Sequence, residues 1–211
     1  MGKINQGILG GFSGKVGAVI GSSWKGIAYM RGIAQSIHNP RTDKQMRQRD
    51  KFALISRLTS KLLGFMKVGF RGSAVKMSEM NASMRENINK AIGGTWPNYE
   101  VRYDRLEVSK GSLDLPYNPS AAVEAGLLTV SWTNNAGIGN AKDDDMAMVL
   151  VYNSAKQQSV YNTLAGKRSE REAQLSVPSA WNGDNVEVWL AFISEDGSTT
   201  SASAYLGSLS V

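Results

Sequence analysis

The C-terminal half of the chain contains a regular series of short apolar runs. They are LLTVSW (127–132), MAMVLVY (146–152), SVYNT (159–163), EAQLSV (172–177), VEVWLAFI (186–193) and SAYLGSLS (203–210). Turn-forming residues separate the runs, which is typical of an all-β sandwich or barrel. Asp196-Gly197, between the last two runs, is a strong hairpin signal. The pattern predicts a β-sandwich whose core is filled in part by Trp132.

Two helices are predicted upstream of these strands. The run Thr42–Gln45 is a capping box that follows the helix-breaking His38–Pro40 segment, so a helix should start there and end near Leu63. Its first half is basic and its second half is amphipathic, so only the second half should be buried. A second helix is predicted from about Met77 to Ile92, where apolar residues recur at three- and four-residue steps. Between the two helices, residues 64–76 read as a loop or a short strand, and a further strand is predicted over residues 99–108.

The N-terminal region is rich in glycine and predicts a β-hairpin. Two β-prone runs, Lys15–Gly21 and Lys25–Gly32, flank the turn-forming Ser22-Ser23-Trp24, which places Trp24 at or near the turn. An exposed Trp at this position is suited to an interface, and a Trp that covers the sheet's own core is equally common. Residues 1–14 form a glycine-rich arm that either is frayed or becomes ordered against a neighbouring molecule.

Together these patterns predict an α+β protein in two parts. Residues 1–114 form a basic, glycine-rich part with the arm, the hairpin and the two helices, which we expect to act in docking and assembly. Residues 115–211 form an acidic all-β sandwich.

Charge is distributed very unevenly along the chain. The formal net charge is +6, but residues 1–105 carry 18 Lys and Arg against 6 Asp and Glu, whereas residues 106–211 carry 6 against 12. A basic half of this kind suits a nucleic acid, an acidic protein or an acidic membrane surface, or is simply a solvated face. The same distribution allows the basic half of one copy to contact the acidic half of the next.

The sequence lacks the common motifs for catalysis and for cofactor binding. The chain has no cysteine and one histidine, which excludes thiolate chemistry and leaves no histidine cluster for a metal. Neither the phosphate-binding loop nor the dinucleotide fingerprint occurs. The run Asp143–Asp145, with Asn140, reads either as a weak calcium site or, more simply, as a solvated acidic loop. We therefore expect a protein that is not an enzyme and that uses no cofactor and no metal.

The candidate binding residues are basic and lie next to the aromatic Trp24 and Tyr29. Cations interleaved with aromatic rings suit a phosphate backbone, and an acidic protein surface would satisfy the same charges. No helix-turn-helix, zinc-finger or RNA-recognition signature accompanies them. The residues predicted to act in assembly or nucleic-acid binding are Trp24, Lys25, Arg31, Arg41, Lys44, Arg47, Arg49 and Lys51.

No run of apolar residues is long enough for a membrane span or for the core of a secretory signal. The sequence therefore predicts synthesis in the cytoplasm without a signal peptide. If the chain assembles, a location within a virion or another particle is also expected.

Several segments resemble an uncharacterised family of bacterial proteins of similar length. They are QGILGGFSGKVGAVIGSSWKGIAYMR (6–31), NPRTDKQMRQRDKFA (39–53), GTWPNYEVRYDRLEVSKGSL (94–113) and EVWLAFISEDG (187–197). More distantly, the hairpin followed by Asn39, Pro40, Arg41, Thr42, Gln45, Arg49 and Phe52 is similar to a segment of some phage virion and tail proteins. Residues 115–211 resemble fibronectin type III and immunoglobulin-like modules.

These resemblances imply a structural protein and transfer no catalytic residue. The leading hypothesis is a non-enzymatic, phage-derived structural protein that forms a homo-oligomer or a larger protein assembly. The alternative is a nucleic-acid-binding protein that uses the same basic surface. A third hypothesis is a carbohydrate- or surface-binding module in the sandwich, served by aromatic residues such as Tyr117 and Trp181, and the alternative for both residues is that they are packed.

Overall fold

The computed structural model describes residues 2–4, 11–36, 39 and 41–211. Most of the glycine-rich arm, together with His38 and Pro40, lies outside the described residues. The fold is mixed α+β, as predicted. The chain divides into two compact units, Met1–Thr42 and Asp43–Val211.

The N-terminal unit contains a small antiparallel sheet. Its strands are β1 (Lys3–Ile4), β2 (Phe12–Val16), β3 (Val19–Trp24) and β4 (Ile27–Gly32), paired in chain order. The predicted hairpin is therefore part of a longer meander. We refer to it as the N-terminal sheet.

The turns of the N-terminal sheet differ in part from the prediction. Ser22 and Ser23 were expected in the turn but pair with Tyr29 and Ala28 within the β3–β4 ladder. The turns fall instead where the backbone needs positive φ angles, which glycine adopts without strain. Gly17 (φ 56°) lies between β2 and β3, and Lys25-Gly26 (φ 47° and 83°) connects β3 to β4. Trp24 ends β3 directly before this second turn, as predicted.

The second unit begins with three helices, α1 (Asp43–Lys61), α2 (Leu63–Gly69) and α3 (Glu79–Lys90). Helix α1 starts directly after Thr42, as the capping box predicts, and its buried residues all lie in its second half, from Ile55 onward. The loop or short strand predicted over residues 64–76 is wrong for its first half, which lies in α2, whereas residues 70–76 form turns. The near-alternate spacing of Phe65, Val68 and Phe70 had favoured a strand. The burial of Leu62, Phe65, Met66 and Phe70 follows the helical repeat instead.

A small hairpin follows α3, formed by β5 (Ile92–Thr95) and β6 (Asn98–Val101). The strand predicted to continue to residue 108 ends at Val101. A 3₁₀ turn, Tyr103–Arg105, follows it. Asn87 of α3 holds the next segment, because its amide donates to the Glu107 carbonyl (2.8 Å) and accepts from the Glu107 N–H (2.9 Å).

The remaining strands form two antiparallel sheets. The three-stranded sheet has the order β11-β8-β7 and the four-stranded sheet the order β10-β9-β12-β13. The six predicted runs correspond to β8 through β13. The additional strand β7 contains Pro119 and lies at a sheet edge, where a missing N–H is tolerated. The bounds are β7 (Tyr117–Glu124), β8 (Leu127–Thr133), β9 (Met146–Asn153), β10 (Gln158–Asn162), β11 (Glu172–Ser176), β12 (Asn185–Ile193) and β13 (Ala204–Ser210).

The four-stranded sheet is the middle layer of the second unit. Alternate residues of β9 and β12, such as Val149 and Leu190, pack against the three-stranded sheet and the buried Trp132. The residues between them, such as Leu150 and Trp189, pack against the three helices. Both central strands are therefore buried on both faces, which explains why their sequences are nearly continuous apolar runs.

This layering also explains where the compact units divide. The chain divides into compact units at Thr42/Asp43, and the boundary between residues 114 and 115 stays a prediction. Residues 43–110 share a hydrophobic core with β9 and β12. Hydrogen bonds between side chains and the backbone strengthen that connection. The Gly69 carbonyl at the end of α2 accepts from Ser109 Oγ (3.1 Å) and Thr200 Oγ1 (3.2 Å), and Ser203 Oγ accepts from the Val108 N–H (3.0 Å).

One buried ion pair connects the loops at an end of the sandwich. The fully buried Arg168 donates from Nε to Asp145 Oδ2 (3.1 Å), and its other nitrogens donate to Asn135 Oδ1 (2.7 Å) and the Asp114 carbonyl (2.8 Å). Its guanidinium also lies 4.1 Å from the centre of the Phe192 ring. Burial lowers the pKa of Arg168, and the Asp145 charge opposes that shift. Each of the three guanidinium nitrogens thus donates a hydrogen bond.

We predict that Asp145→Asn destabilises the protein by about 3–5 kcal/mol, because it leaves the Arg168 charge buried without a charged partner. Urea denaturation of the whole chain, followed by tryptophan fluorescence, measures this change. The double variant Asp145→Asn plus Arg168→Met should lose less stability than the two single variants added together. Additive losses would contradict an energetic coupling between the two side chains.

Candidate functional site

The N-terminal sheet has two chemically different faces. Lys15 pairs with Ile20, and Ile20 pairs with Arg31, so these three residues share a face, as residues directly opposite each other on antiparallel strands do. Lys3 pairs with Ser13, which lies two residues before Lys15 on the same strand, so Lys3 is the third cation on this face. Trp24 and Tyr29 lie on this same face, because side chains two residues apart along a strand point to the same side of the sheet. We call it the basic face. Its members on β1 to β4 are Lys3, Ser13, Lys15, Ile20, Ser22, Trp24, Ile27, Tyr29 and Arg31.

The opposite face of the N-terminal sheet carries no charge. Val16 pairs with Val19, and Gly21 pairs with Met30, so these residues lie together on it. Gly21 is required there, because a Cβ at this position would lie 2.6 Å from the Phe12 ring. We call this the uncharged face. Its members on β2 to β4 are Phe12, Gly14, Val16, Val19, Gly21, Ser23, Ala28, Met30 and Gly32.

The side chains of the N-terminal sheet are largely exposed. Among the described residues of this unit, only Gly21 is buried. Trp24 is 55% exposed, Ile27 67% and Met30 70%. Such apolar exposure on a single-layer sheet is unusual, because a sheet normally buries one face against another layer.

The predicted basic residues of α1 divide between two sides of the helix. The Arg47 guanidinium lies 5.5 Å from the centre of the Trp96 ring, and Lys51 Nζ lies 5.3 Å from that of Tyr99. Lys44 is one turn before Arg47 on the same side. Trp96 also donates from Nε1 to Asp50 (2.9 Å). The basic half of α1 is therefore held by the β5–β6 hairpin.

Arg49 lies on a different side of α1. It lines a shallow depression with Gln45, Gln48 and Phe52, and Phe52 is 55% exposed. Arg41 precedes the helix and is exposed. The eight predicted residues thus fall into distinct groups. Trp24 and Arg31 share the basic face, Lys25 is in the adjoining turn, and Lys44, Arg47 and Lys51 share one side of α1.

Sequence reasoning missed several residues of these surfaces. Lys3 and Lys15 belong to the basic face, and the signal that could have found Lys15 is the strand alternation once the turn is placed at Gly17. Tyr99 was predicted only as a strand residue and Trp96 was given no binding role, because nothing in the sequence shows that a cation 48 or 49 residues upstream lies over each ring.

The acidic loop, considered above as a calcium site, uses its carboxylates locally. Asp145 pairs with Arg168, Asp144 with Lys167 Nζ (3.1 Å), and Asp143 accepts from Asn134 Nδ2 (2.7 Å). Within the described residues, no group of three His, Cys, Asp or Glu side chains is arranged to hold a metal ion.

A polar hollow beside this loop is lined by Asp144, Glu195, Asp196 and neighbouring hydroxyls. Hydrogen bonds from Ser194 and Ser198 lower the pKa of Asp196 to about 2. Both serines lie within two residues of Asp196, and their hydroxyls donate to its carboxylate at 2.6 and 2.8 Å. The arrangement stabilises the turn between β12 and β13.

The two aromatic residues proposed for carbohydrate binding differ in exposure. Tyr117 is 49% exposed, but Trp181 is 1% exposed and donates to Gln158 Oε1 (3.3 Å). The interpretation of Trp181 as a sugar platform is therefore wrong, because its ring is part of the sandwich core.

The chain belongs to a family of unknown function, DUF6266, whose model matches residues 11–207. The predicted membership of an uncharacterised family is thus confirmed, while the link to phage proteins stays a prediction. No curated protein matches the chain. Among the described residues, no helix has the length and apolar character that a membrane crossing requires.

We predict that Trp96→Ala loosens the first half of α1, since it removes the contact with Arg47 and the hydrogen bond to Asp50. A loss of about 1 kcal/mol is expected, which corresponds to about fivefold faster hydrogen exchange of the amides between Lys44 and Lys51. Tyr117→Ala, an exposed aromatic substitution elsewhere, is the control and should leave these amides unchanged. Equal exchange in the Trp96 variant and the wild type would contradict the role of this contact.

Proposed function

We propose that this protein is a non-enzymatic structural protein that assembles with copies of itself or with a larger particle, and that docks through its N-terminal half. The observation that carries the proposal is the N-terminal sheet, in which Gly21 alone among the described residues is buried. A single-layer sheet with exposed Val16, Trp24, Ile27 and Met30 gains stability when a partner covers it.

The charge distribution supports the same function. Residues 1–42 contain five Lys and Arg and no Asp or Glu, whereas the residues from 106 onward are acidic overall. Surfaces of opposite charge on one chain favour ordered contacts between copies and disfavour contacts between like surfaces.

We further propose that residues 115–211 form a fibronectin type III-like or immunoglobulin-like module. The non-sequential pairs β8–β11 and β9–β12 support this, because they create two sheets from seven strands. Relative to a constant-type immunoglobulin domain, only the fourth strand, β10, is in the other sheet. Modules of this kind decorate phage structural proteins, so a phage-derived, virion-like component remains the proposed class.

Nucleic-acid binding is the second candidate function. It is favoured by one observation, the placement of Lys15 and Arg31 on the same face as Trp24 and Tyr29. Cations beside exposed aromatic rings suit backbone contacts with base stacking. Such binding should fall steeply as salt concentration rises.

The assembly function predicts that Val16→Thr plus Met30→Gln lowers the molar mass of the protein at high concentration. Both substitutions keep side-chain shape and net charge, so the change isolates the apolar contact of the uncharged face. Size-exclusion chromatography with light scattering at low and high salt, with the 260/280 nm absorbance ratio recorded, measures it.

The matched control is Val75→Thr plus Leu164→Gln, at positions that are 69% and 63% exposed. It should assemble like the wild type. A wild-type protein that is a monodisperse monomer at high concentration and low salt would contradict the proposal. A nucleic-acid-rich peak that becomes a clean monomer at high salt would favour the second candidate.

A further inference from the structure

The outer face of the three-stranded sheet is acidic. It carries Glu172 on β11 and Glu124 on β7, both exposed, and strands β7, β8 and β11 contain no Lys or Arg. The rest of this face is mostly hydroxyl-bearing, including Ser120 and Ser131, whose Oγ atoms are 3.0 Å apart. Leu127, 37% exposed, adds an apolar contact surface. We call it the acidic face.

The charges of the basic face and the acidic face are not used elsewhere in the described part of the chain. The ion pairs found there connect residues between Arg85 and Asp184. Lys15, Arg31, Glu124 and Glu172 take part in none of them. Two oppositely charged sheet surfaces of the same chain are thus available for contact with another molecule.

We propose that the basic face of one copy packs against the acidic face of a second copy, in a head-to-tail contact. The inference rests on the assembly function proposed above and names the partner surface. Sheet-on-sheet packing is a common geometry, and here it would bury Trp24, Ile27 and Tyr29 against the hydroxyl-rich strands of the partner. Opposite charges on the two faces fix which surfaces meet.

The spacing of the charges supports this contact. With strands about 4.8 Å apart and residues about 3.4 Å apart along a strand, Lys3 and Arg31 are separated by about 16 Å. The same spacings place Glu124 and Glu172 about 17 Å apart on the acidic face. The outermost cations of one face therefore match the two carboxylates of the other.

An acidic protein surface fits the basic face better than a nucleic acid does. Proteins that bind DNA strongly through its backbone neutralise about 6–10 phosphates. The basic face offers Lys3, Lys15 and Arg31, arranged across a sheet and interspersed with Ile20 and Ile27. A surface with few cations and considerable apolar area is more typical of a protein interface.

Because the two contacting faces are different, the contact is heterologous. Each copy that binds through its basic face leaves its own acidic face free for the next copy. Such contacts generate a closed ring if the rotation between copies closes, and a filament if it does not.

The test uses two charge-reversal variants of the full chain, Lys3→Glu plus Arg31→Glu and Glu124→Lys plus Glu172→Lys. Sedimentation velocity at 50 mM salt should show that each variant alone associates at least about tenfold more weakly than the wild type, since like charges then face each other. A one-to-one mixture should associate again, because each reversed face then meets a face of opposite charge. Arg57→Glu plus Lys67→Glu is the control for the basic-face variant, with the same change in net charge on exposed helical positions, and should associate like the wild type.

Three outcomes would overturn the inference. Variants that associate like the wild type would show that these faces do not meet. A mixture that remains dissociated would show that the reversals act on something other than a shared interface. Salt-dependent binding of a labelled single-stranded oligonucleotide that is lost with Lys3→Glu plus Arg31→Glu, without any change in self-association, would assign the basic face to nucleic acid. If the reversals have no effect but Val16→Thr plus Met30→Gln prevents assembly, the assembly function stands and only this contact fails.

Discussion

The burial of strands β9 and β12 on both faces is the constraint on which the larger unit depends. Each strand supplies alternate side chains to two cores, one against the three-stranded sheet and one against the helices. Dispersion and hydrophobic burial therefore act on both sides of the same backbone. The helices α1 to α3 are stable in this unit because they cover a sheet face that would otherwise be an exposed apolar surface.

The N-terminal sheet is organised by different physics. Its backbone hydrogen bonds are made within the meander, but its side chains have no second layer among the described residues of their own unit. The strand alternation sorts its cations onto one face and leaves the other face without charge. Under the proposed assembly function, much of the favourable burial of this sheet becomes available only when a partner is present.

The sequence was informative where one local pattern determined the structure. The runs at β8 to β13 and the capping box before α1 were recognised because alternation and capping are short-range signals. Strand β7 was missed because Pro119 suggested a break. Helix α2 was missed because Phe65, Val68 and Phe70 are at near-alternate positions, which resembles a strand. The layering of helices on β9 could not be inferred, since it depends on contacts between residues far apart in sequence. For the same reason the sequence identified cations such as Arg47 and Arg49 but not the opposite sides of α1 on which they lie.

The hydrogen bonds at the end of α2 have a consequence for synthesis on the ribosome. The Gly69 carbonyl is bound by Thr200, 131 residues later, and the Val108 N–H by Ser203, 95 residues later. The helical layer therefore cannot complete its contacts until the turn before β13 has emerged from the exit tunnel. Until β12 has emerged, the apolar sides of α1 and α2 lack one of the two central strands that cover them, and transiently exposed apolar surface of this kind is prone to aggregate. The N-terminal sheet has only local pairing and can form much earlier, so the part of the chain suited to binding other molecules is available before the rest has folded.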